Sequence, residues 1–363
     1  MNEQLLQKQI EDQRNLLSTD RLDLSFGEVM RMYQDGDIII KPAFQRYFRW
    51  DIEQRTRFIE SILLGIPIPP IFVAVDGKGI WELVDGLQRV STMLSFFGIL
   101  KSEDEGLKNK NKWELIEGDR VDALAGFTYE TMPELFKRSL KRAACRVEIL
   151  NWNSSYDMRF ELFNRLNTGG SPLTAQEIRN CIYRDISSEF NDFLKRIADN
   201  QDFRALIDLD DEPIERLYHE ELALRFISLY KNIKHVKSSI SQHMTTFMRQ
   251  ALENENFDYV QHEKIFSDVF ALLNQSPLNR SIFRQKKGGQ FATSLYDVIT
   301  IGVGENYDLY KQQLPQAILS KIDNEVRKDE VLKKFSRKGG NNEKSRIINR
   351  LKEAKRIFGN QDN

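Results

Sequence analysis

Cysteine is nearly absent: Cys145 and Cys181 are the two thiols in 363 residues. They allow one bridge at most and no zinc constellation, which points to a reducing cytoplasm. Histidine is almost as sparse. His219, His235, His243 and His262 are scattered through helical sequence with neither an Asn/His neighbour nor a metal-ligand spacing, so each reads as a surface or helix-packing residue. No apolar run is long enough to span a bilayer, and the start, Met1-Asn2-Glu3-Gln4-Leu5-Leu6-Gln7-Lys8, carries no signal-peptide pattern. Neither sign of charge dominates: a net charge of −1 leaves nucleic-acid binding to be decided by local asymmetry. A P-loop lysine, a nucleophile–base pair and a paired-carboxylate motif are all missing, so no motif identifies a reaction by itself.

What is present is a globular composition, 40% hydrophobic and 29% charged, over a length that predicts two domains. The N-terminal part reads as α+β. Ser25 and Glu28 make a capping-box pattern opening a helix to about Tyr33, Asp35-Gly36 turns the chain into a strand at Ile38 to Ile40, and Asp51 caps a helix ended by Gly65. Strands at Ile71 to Val75 and Ile80 to Val84 flank the hairpin signal Asp76-Gly77-Lys78-Gly79. Lys101 to Gly118 reads as a polar surface insertion, followed by a strand near Ala144 to Leu150.

The second of the hairpin strands runs into Val84-Asp85-Gly86-Leu87-Gln88-Arg89. Leu87, Val90, Met93, Leu94 and Phe97 recur at helical spacing, with Gln88, Arg89, Ser91 and Thr92 off that stripe. The first turn of such a helix exposes unpaired N–H groups and the positive end of the dipole, Gly86 allows close approach, and Arg89 adds a charged fork suited to phosphate. An ordinary Asp-Gly turn with a solvated arginine is the alternative. Upstream, Lys41-Pro42-Ala43-Phe44-Gln45-Arg46-Tyr47-Phe48-Arg49-Trp50 is dense in aromatics and arginines that can stack on a base and meet a phosphate, or can seal a core edge. Gln45-Arg46 and Gln88-Arg89 each follow a strand and are candidates to face one cleft.

Pro42 to Trp50, the Ile-Pro-Ile-Pro-Pro run at Ile66 to Pro70, the Asp-Gly-Leu-Gln-Arg turn and the block Phe163-Asn164-Arg165-Leu166-Asn167-Thr168-Gly169-Gly170-Ser171-Pro172-Leu173-Thr174 together resemble the N-terminal domain of GmrSD-type, modification-dependent restriction enzymes, of the ParB/sulfiredoxin-like superfamily. The resemblance spans about Leu22 to Tyr183. Leu87 stands where the family usually has Gln, which removes any role of that side chain and leaves a backbone role intact. The resemblance implies a nucleotide-binding module linked to DNA restriction, with nucleoside triphosphate and candidate Mg2+ as cofactors. Its candidate binding set is Gln45, Arg46, Asp85, Gly86, Gln88, Arg89, Thr92, Asn164, Arg165, Asn167, Gly169 and Gly170. Several relatives carry a C-terminal His-Asn-His nuclease domain; none is expected here, so a nuclease partner chain or an unrecognised site would do any cutting. The double glycine at 169 and 170 serves either a ligand or a helix end. Thr174 and Glu177 open the next helix with a second capping box.

Beyond about Asp185 the pattern is helical, with apolar periodicity at Leu217 to Tyr230, His243 to Leu252 and Glu263 to Leu273. Asp208, Asp210, Asp211 and Glu212 could gather a divalent cation or form an exposed loop. From Val331 to Phe358 the net charge is +8. Ile347, Ile348, Leu351, Ala354 and Phe358 make the buried side of a helix there, placing Lys344, Arg346, Arg350 and Lys352 where DNA phosphates could be met. The expected organisation is a ParB/sulfiredoxin-like α+β domain over 1–185 and a helical domain over 186–363, with an oligomer an open possibility and no membrane association. Three functions stay open: a nucleotide-binding and NTP-hydrolysing component of a restriction or anti-phage system, a ParB-like nuclease, and a non-catalytic DNA-binding scaffold.

Overall fold

The computed structural model describes residues 2–14, 18–40, 48, 50–101, 110–151, 161, 165, 174–183, 188–207, 213–286, 289–313, 315–335 and 343–359. The chain is α+β and divides into two compact units, Met1–Leu173 and Thr174–Asn363.

The first unit opens with helix α1 (Glu3–Arg14), then strand β1 (Thr19–Ser25) and helix α2 (Phe26–Asp35). Ser25 caps α2 by accepting from the Glu28 N–H at 3.1 Å, and Gly36 ends it at φ 89°. Phe26, Val29, Met30 and Tyr33 recur at helical steps and are buried together. After β2 (Ile38–Ile39), helix α3 (Ile52–Leu63) starts at Asp51 with a reciprocal capping box: Gln54 N–H donates to Asp51 Oδ1 at 2.8 Å and Asp51 N–H to Gln54 Oε1 at 3.1 Å. Strands β3 (Ile71–Val75) and β4 (Trp81–Asp85), helix α4 (Leu87–Phe96), helix α5 (Glu134–Arg142) and strand β5 (Ala144–Leu150) complete the unit.

The strands form one mixed sheet in the order β1-β5-β3-β4-β2; β1 runs antiparallel to β5 and β3 to β4, while β3–β5 and β4–β2 are parallel. β4 begins one residue later than the sequence pattern predicts. The Asp76 carboxylate accepts from the N–H groups of Lys78 and Ile80 at 2.8 and 2.9 Å, so Ile80 stays in the turn and Asp85 becomes the last strand residue, paired with Phe72.

Two expectations for this unit need correction. Ser91 and Thr92, off the predicted stripe of α4, are buried with their apolar neighbours, and so is Ser95, whose Oγ accepts from Nε1–H of Trp113, within the polar insertion, at 3.0 Å. The insertion is not wholly solvated in its described residues 110–118: Trp113 and Leu115 are buried, while Lys112, Glu114, Ile116 and Glu117 are exposed. Its end is held from α3, where buried Glu60 accepts from the N–H groups of Asp119, Arg120 and Val121 at 3.2, 2.8 and 2.8 Å. Residues 102–109 lie outside the described residues.

The second unit is helical among its described residues: α6 (Ala175–Tyr183), α7 (Glu189–Ala198), α8 (Gln201–Leu206), α9 (Pro213–Leu229), α10 (Ile240–Glu253), α11 (Tyr259–Asn274), α12 (Thr293–Glu305), α13 (Tyr307–Tyr310), α14 (Pro315–Lys321), α15 (Glu330–Phe335) and α16 (Lys344–Phe358). Thr174 and Glu177 form the expected capping box at the start of α6. α16 packs closely on α12: a Cβ at Gly302 would sit 2.3 Å from a Phe358 ring carbon, so only glycine fits there. Among the described residues no helix is long and apolar enough to cross a membrane.

Candidate functional site

The turn from β4 into α4 is built by Gly86, which caps the helix in the left-handed region at φ 97°. A Cβ there would lie 2.6 Å from Ile71 Cγ2 and 3.0 Å from Ile71 Cβ. Packing against β3 therefore requires the glycine, independently of any ligand. The α4 N-terminus has no side-chain cap, and the Val90 N–H closes the first helical bond onto Gly86 O at 2.9 Å. The N–H groups of the first turn keep their capacity for an outside acceptor.

Arg89 is not a solvated arginine. Its Nη2 meets Asp85 Oδ2 at 2.8 Å, its Nη1 donates to Pro69 O at 2.8 Å, and its side chain is 13% exposed. Those contacts hold the guanidinium in place at the turn and, among the described residues, use two of its five N–H hydrogens. Two hydroxyls one step further along α4, Ser91 Oγ and Thr92 Oγ1, are buried without a hydrogen-bond partner among the described residues. Cys145 on β5 lies within electrostatic reach. Burial pushes its thiol up to about 12, with the charge of Arg89 opposing the rise.

Gln88 joins the turn to the aromatic loop, since its Oε1 accepts from the Trp50 N–H at 3.1 Å. Trp50 in turn packs edge-on against Phe58 with ring centroids 5.6 Å apart. Phe48 is buried, and Lys110 both donates to its carbonyl and stands 5.0 Å from its ring centroid. Arg55 sits 4.7 Å from the Trp113 ring centroid, and burial draws its guanidinium below the usual arginine range. The far end of the aromatic loop is thus brought to the turn. The contribution of Arg55, Lys110 and Trp113 was not visible in the motifs; the alternation of Trp113 and Leu115 in a polar stretch was the available signal.

Gln45, Arg46, Asn164, Asn167, Gly169 and Gly170 lie outside the described residues, as does the acidic run at 208–212. Arg165 is described, 75% exposed and paired with Glu161 at 2.8 Å. Among the described residues no group of three or more His, Cys, Asp or Glu is placed to hold a metal ion. His219 and His243 are buried in the second unit, where burial lowers the His243 pKa and its Nε2 lies 2.9 Å from Ser228 O.

The basic stripe of α16 is divided by burial. Lys344 and Lys352 are exposed, and Arg346 is half-buried beside Glu343 at 3.9 Å. Arg350, expected on a flank, is instead fully buried, with Nη2 3.5 Å from Asp297 Oδ2; burial pulls its pKa down while Asp297 opposes. Its position on the helix points inward with Ile347, Leu351 and Ala354, so it cannot reach a phosphate as α16 stands.

Residues 26–184, which contain the turn and the aromatic loop, match the family model described as GmrSD restriction endonuclease, N-terminal domain. No curated protein and no solved structure was found to match the chain.

Proposed function

We propose that this chain, whose residues 26–184 match the GmrSD restriction endonuclease N-terminal domain model, is a nucleotide-binding component of a DNA-restriction or anti-phage defence system. The observation that carries the reading is the held guanidinium of Arg89 beside the uncapped first turn of α4. A triphosphate fits this donor set. The backbone N–H groups of the first turn donate to one phosphate, the remaining hydrogens of Arg89 donate to a second oxygen, and the Thr92 hydroxyl, unpartnered among the described residues, lies one turn along. Asp85 positions Arg89 rather than binding phosphate, because two anions in contact repel. A magnesium ion accompanying the nucleotide would offset that repulsion. The half-buried ring of Trp50, set edge-on against buried Phe58, is the aromatic surface assigned to the base.

DNA contact is assigned in this reading to the exposed end of the basic stripe, Lys344 and Lys352, with Arg346 beside them. Strand cleavage is assigned to a nuclease partner chain, and nucleotide hydrolysis is the coupled reaction. The test is a calorimetric titration of wild type and Arg89→Ala with ATP, GTP and CTP, with phosphate release followed in the same samples. Loss of Arg89 should weaken binding by about 1.5 to 3 kcal/mol, the range of a charge-assisted bond. Equal binding of all nucleotides by both proteins overturns the assignment.

A further inference from the structure

The first unit carries two apolar surfaces that share no residue with the turn. One is a groove of about 690 Å³ between the end of α3 and α5, lined by Ile62, Ile66 and Pro67 on one side and Leu135, Arg138 and Arg142 on the other. Ile66 and Leu135 are 50% and 66% exposed, and their neighbours Leu64 and Phe136 are 47% and 44% exposed. Large apolar side chains gathered around one groove mark an interaction site, whereas scattered ones do not. Its rim is basic, because Arg138 and Arg142 of α5 line it.

The other surface is α1. Every side chain described in that helix is exposed, including Leu5 at 50%, Leu6 at 58% and Ile10 at 44%. Leu6 and Ile10 are four residues apart and share one face, with Leu5 beside them and Glu3 and Asp12 flanking the stripe. The side-chain bonds of α1 are local: Asn2 Oδ1 accepts from the Leu5 N–H, and Gln7 Nε2 donates to Glu11. A helix of 12 residues with its apolar face in water is marginal by itself and gains stability by docking.

We propose that α1 of a second copy of this chain lies in the groove between α3 and α5, and that the exchange is reciprocal, forming a two-fold dimer. The apolar stripe meets Ile66 and Leu135, and the flanking carboxylates of Glu3 and Asp12 meet the basic rim of α5. Reciprocity seats two helices in two grooves and so doubles the area of one such contact, toward the roughly 1,200 to 2,000 Å² buried by stable interfaces. Such exchange of an identical element is a low-cost route to a closed dimer. The inference does not depend on the nucleotide reading.

Sedimentation velocity of the full chain tests it. Wild type should be dimeric at about 100 µM, a concentration that populates any dimer of micromolar Kd. Leu6→Asp and Leu135→Asp should each raise the dimer Kd at least about ten-fold, with circular dichroism changed by no more than the loss of the 12 residues of α1. An equimolar mixture of the two variants should recover part of the dimer, because one intact α1 then faces one intact groove. A monomeric wild type, a dimer indifferent to both substitutions, or a mixture that recovers nothing overturns the proposal.

Discussion

Replacing Asp297 by Asn should destabilise the second unit more than any other conservative exchange in its interior. Asp297 on α12 is 1% exposed and accepts two bonds from Arg225 of α9, at 2.5 and 2.7 Å, while Arg350 of α16 stands 3.5 Å away. One carboxylate therefore faces two buried guanidinium groups. Asn keeps the shape and removes the charge that faces both guanidinium groups, and breaking a buried pair in this way costs about 3 to 5 kcal/mol. That is a large share of the roughly 5 to 15 kcal/mol by which a domain is stable. The four tryptophans, Trp50, Trp81, Trp113 and Trp152, all precede Thr174, so fluorescence follows the first unit while the far-ultraviolet dichroism is dominated by helix. Urea unfolding of Asp297→Asn should show the dichroism transition moved to lower denaturant and the fluorescence transition nearly in place. A dichroism shift worth less than about 1 kcal/mol would refute the reasoning, since exposed pairs give no more than that.

Gly86→Ala should cost about 2 to 4 kcal/mol, the sum of a left-handed φ and a methyl forced onto Ile71, and is read by thermal unfolding followed by fluorescence. The Cys145 thiol, pushed up to about 12, should resist alkylation in the native protein at about pH 8 and react on unfolding, as peptide mass spectrometry would report. Its linkage has a definite sign: between the ordinary 9.0 and about 12 the unfolded thiol ionises while the native one stays protonated, so stability should fall as pH rises through that window, and Cys145→Ser should remove that slope. Changing Lys344, Arg346 and Lys352 together to Gln should weaken DNA binding across sequences and flatten its salt dependence, with fewer counterions released; Arg350→Gln should instead lower stability, and unchanged salt dependence in the triple variant would remove α16 from the DNA surface.

The local features of the sequence transferred well because they have short-range causes. Ser25, Asp51 and Thr174 mark helix starts through bonds to residues three positions on, and Asp76 to Gly79 makes its turn from its own carboxylate. What the sequence concealed depends on distant partners. Glu60 of α3 belongs to no motif, yet it caps a loop some sixty residues away, and Arg350 looked like part of a stripe until Asp297 was placed beneath it. The turn itself was legible as strand, glycine and helix, but the partners of Arg89 were not, since Pro69 is twenty residues distant and contributes only a carbonyl. β1 was missed for the same reason: its polar sequence, Thr19 to Ser25, is an exposed edge strand held by β5 through pairs such as Asp23 with Arg146 at 2.9 Å.

Amide hydrogen exchange at residues 86–90 tests the central claim most directly, because it reads the first turn of α4 where the phosphate is placed. With a saturating nucleoside triphosphate and magnesium, exchange at Leu87, Gln88 and Arg89 should slow markedly in wild type and much less in Arg89→Ala, while α9 and α12 stay unchanged. A nucleotide that binds and leaves exchange at that turn untouched would contradict the account.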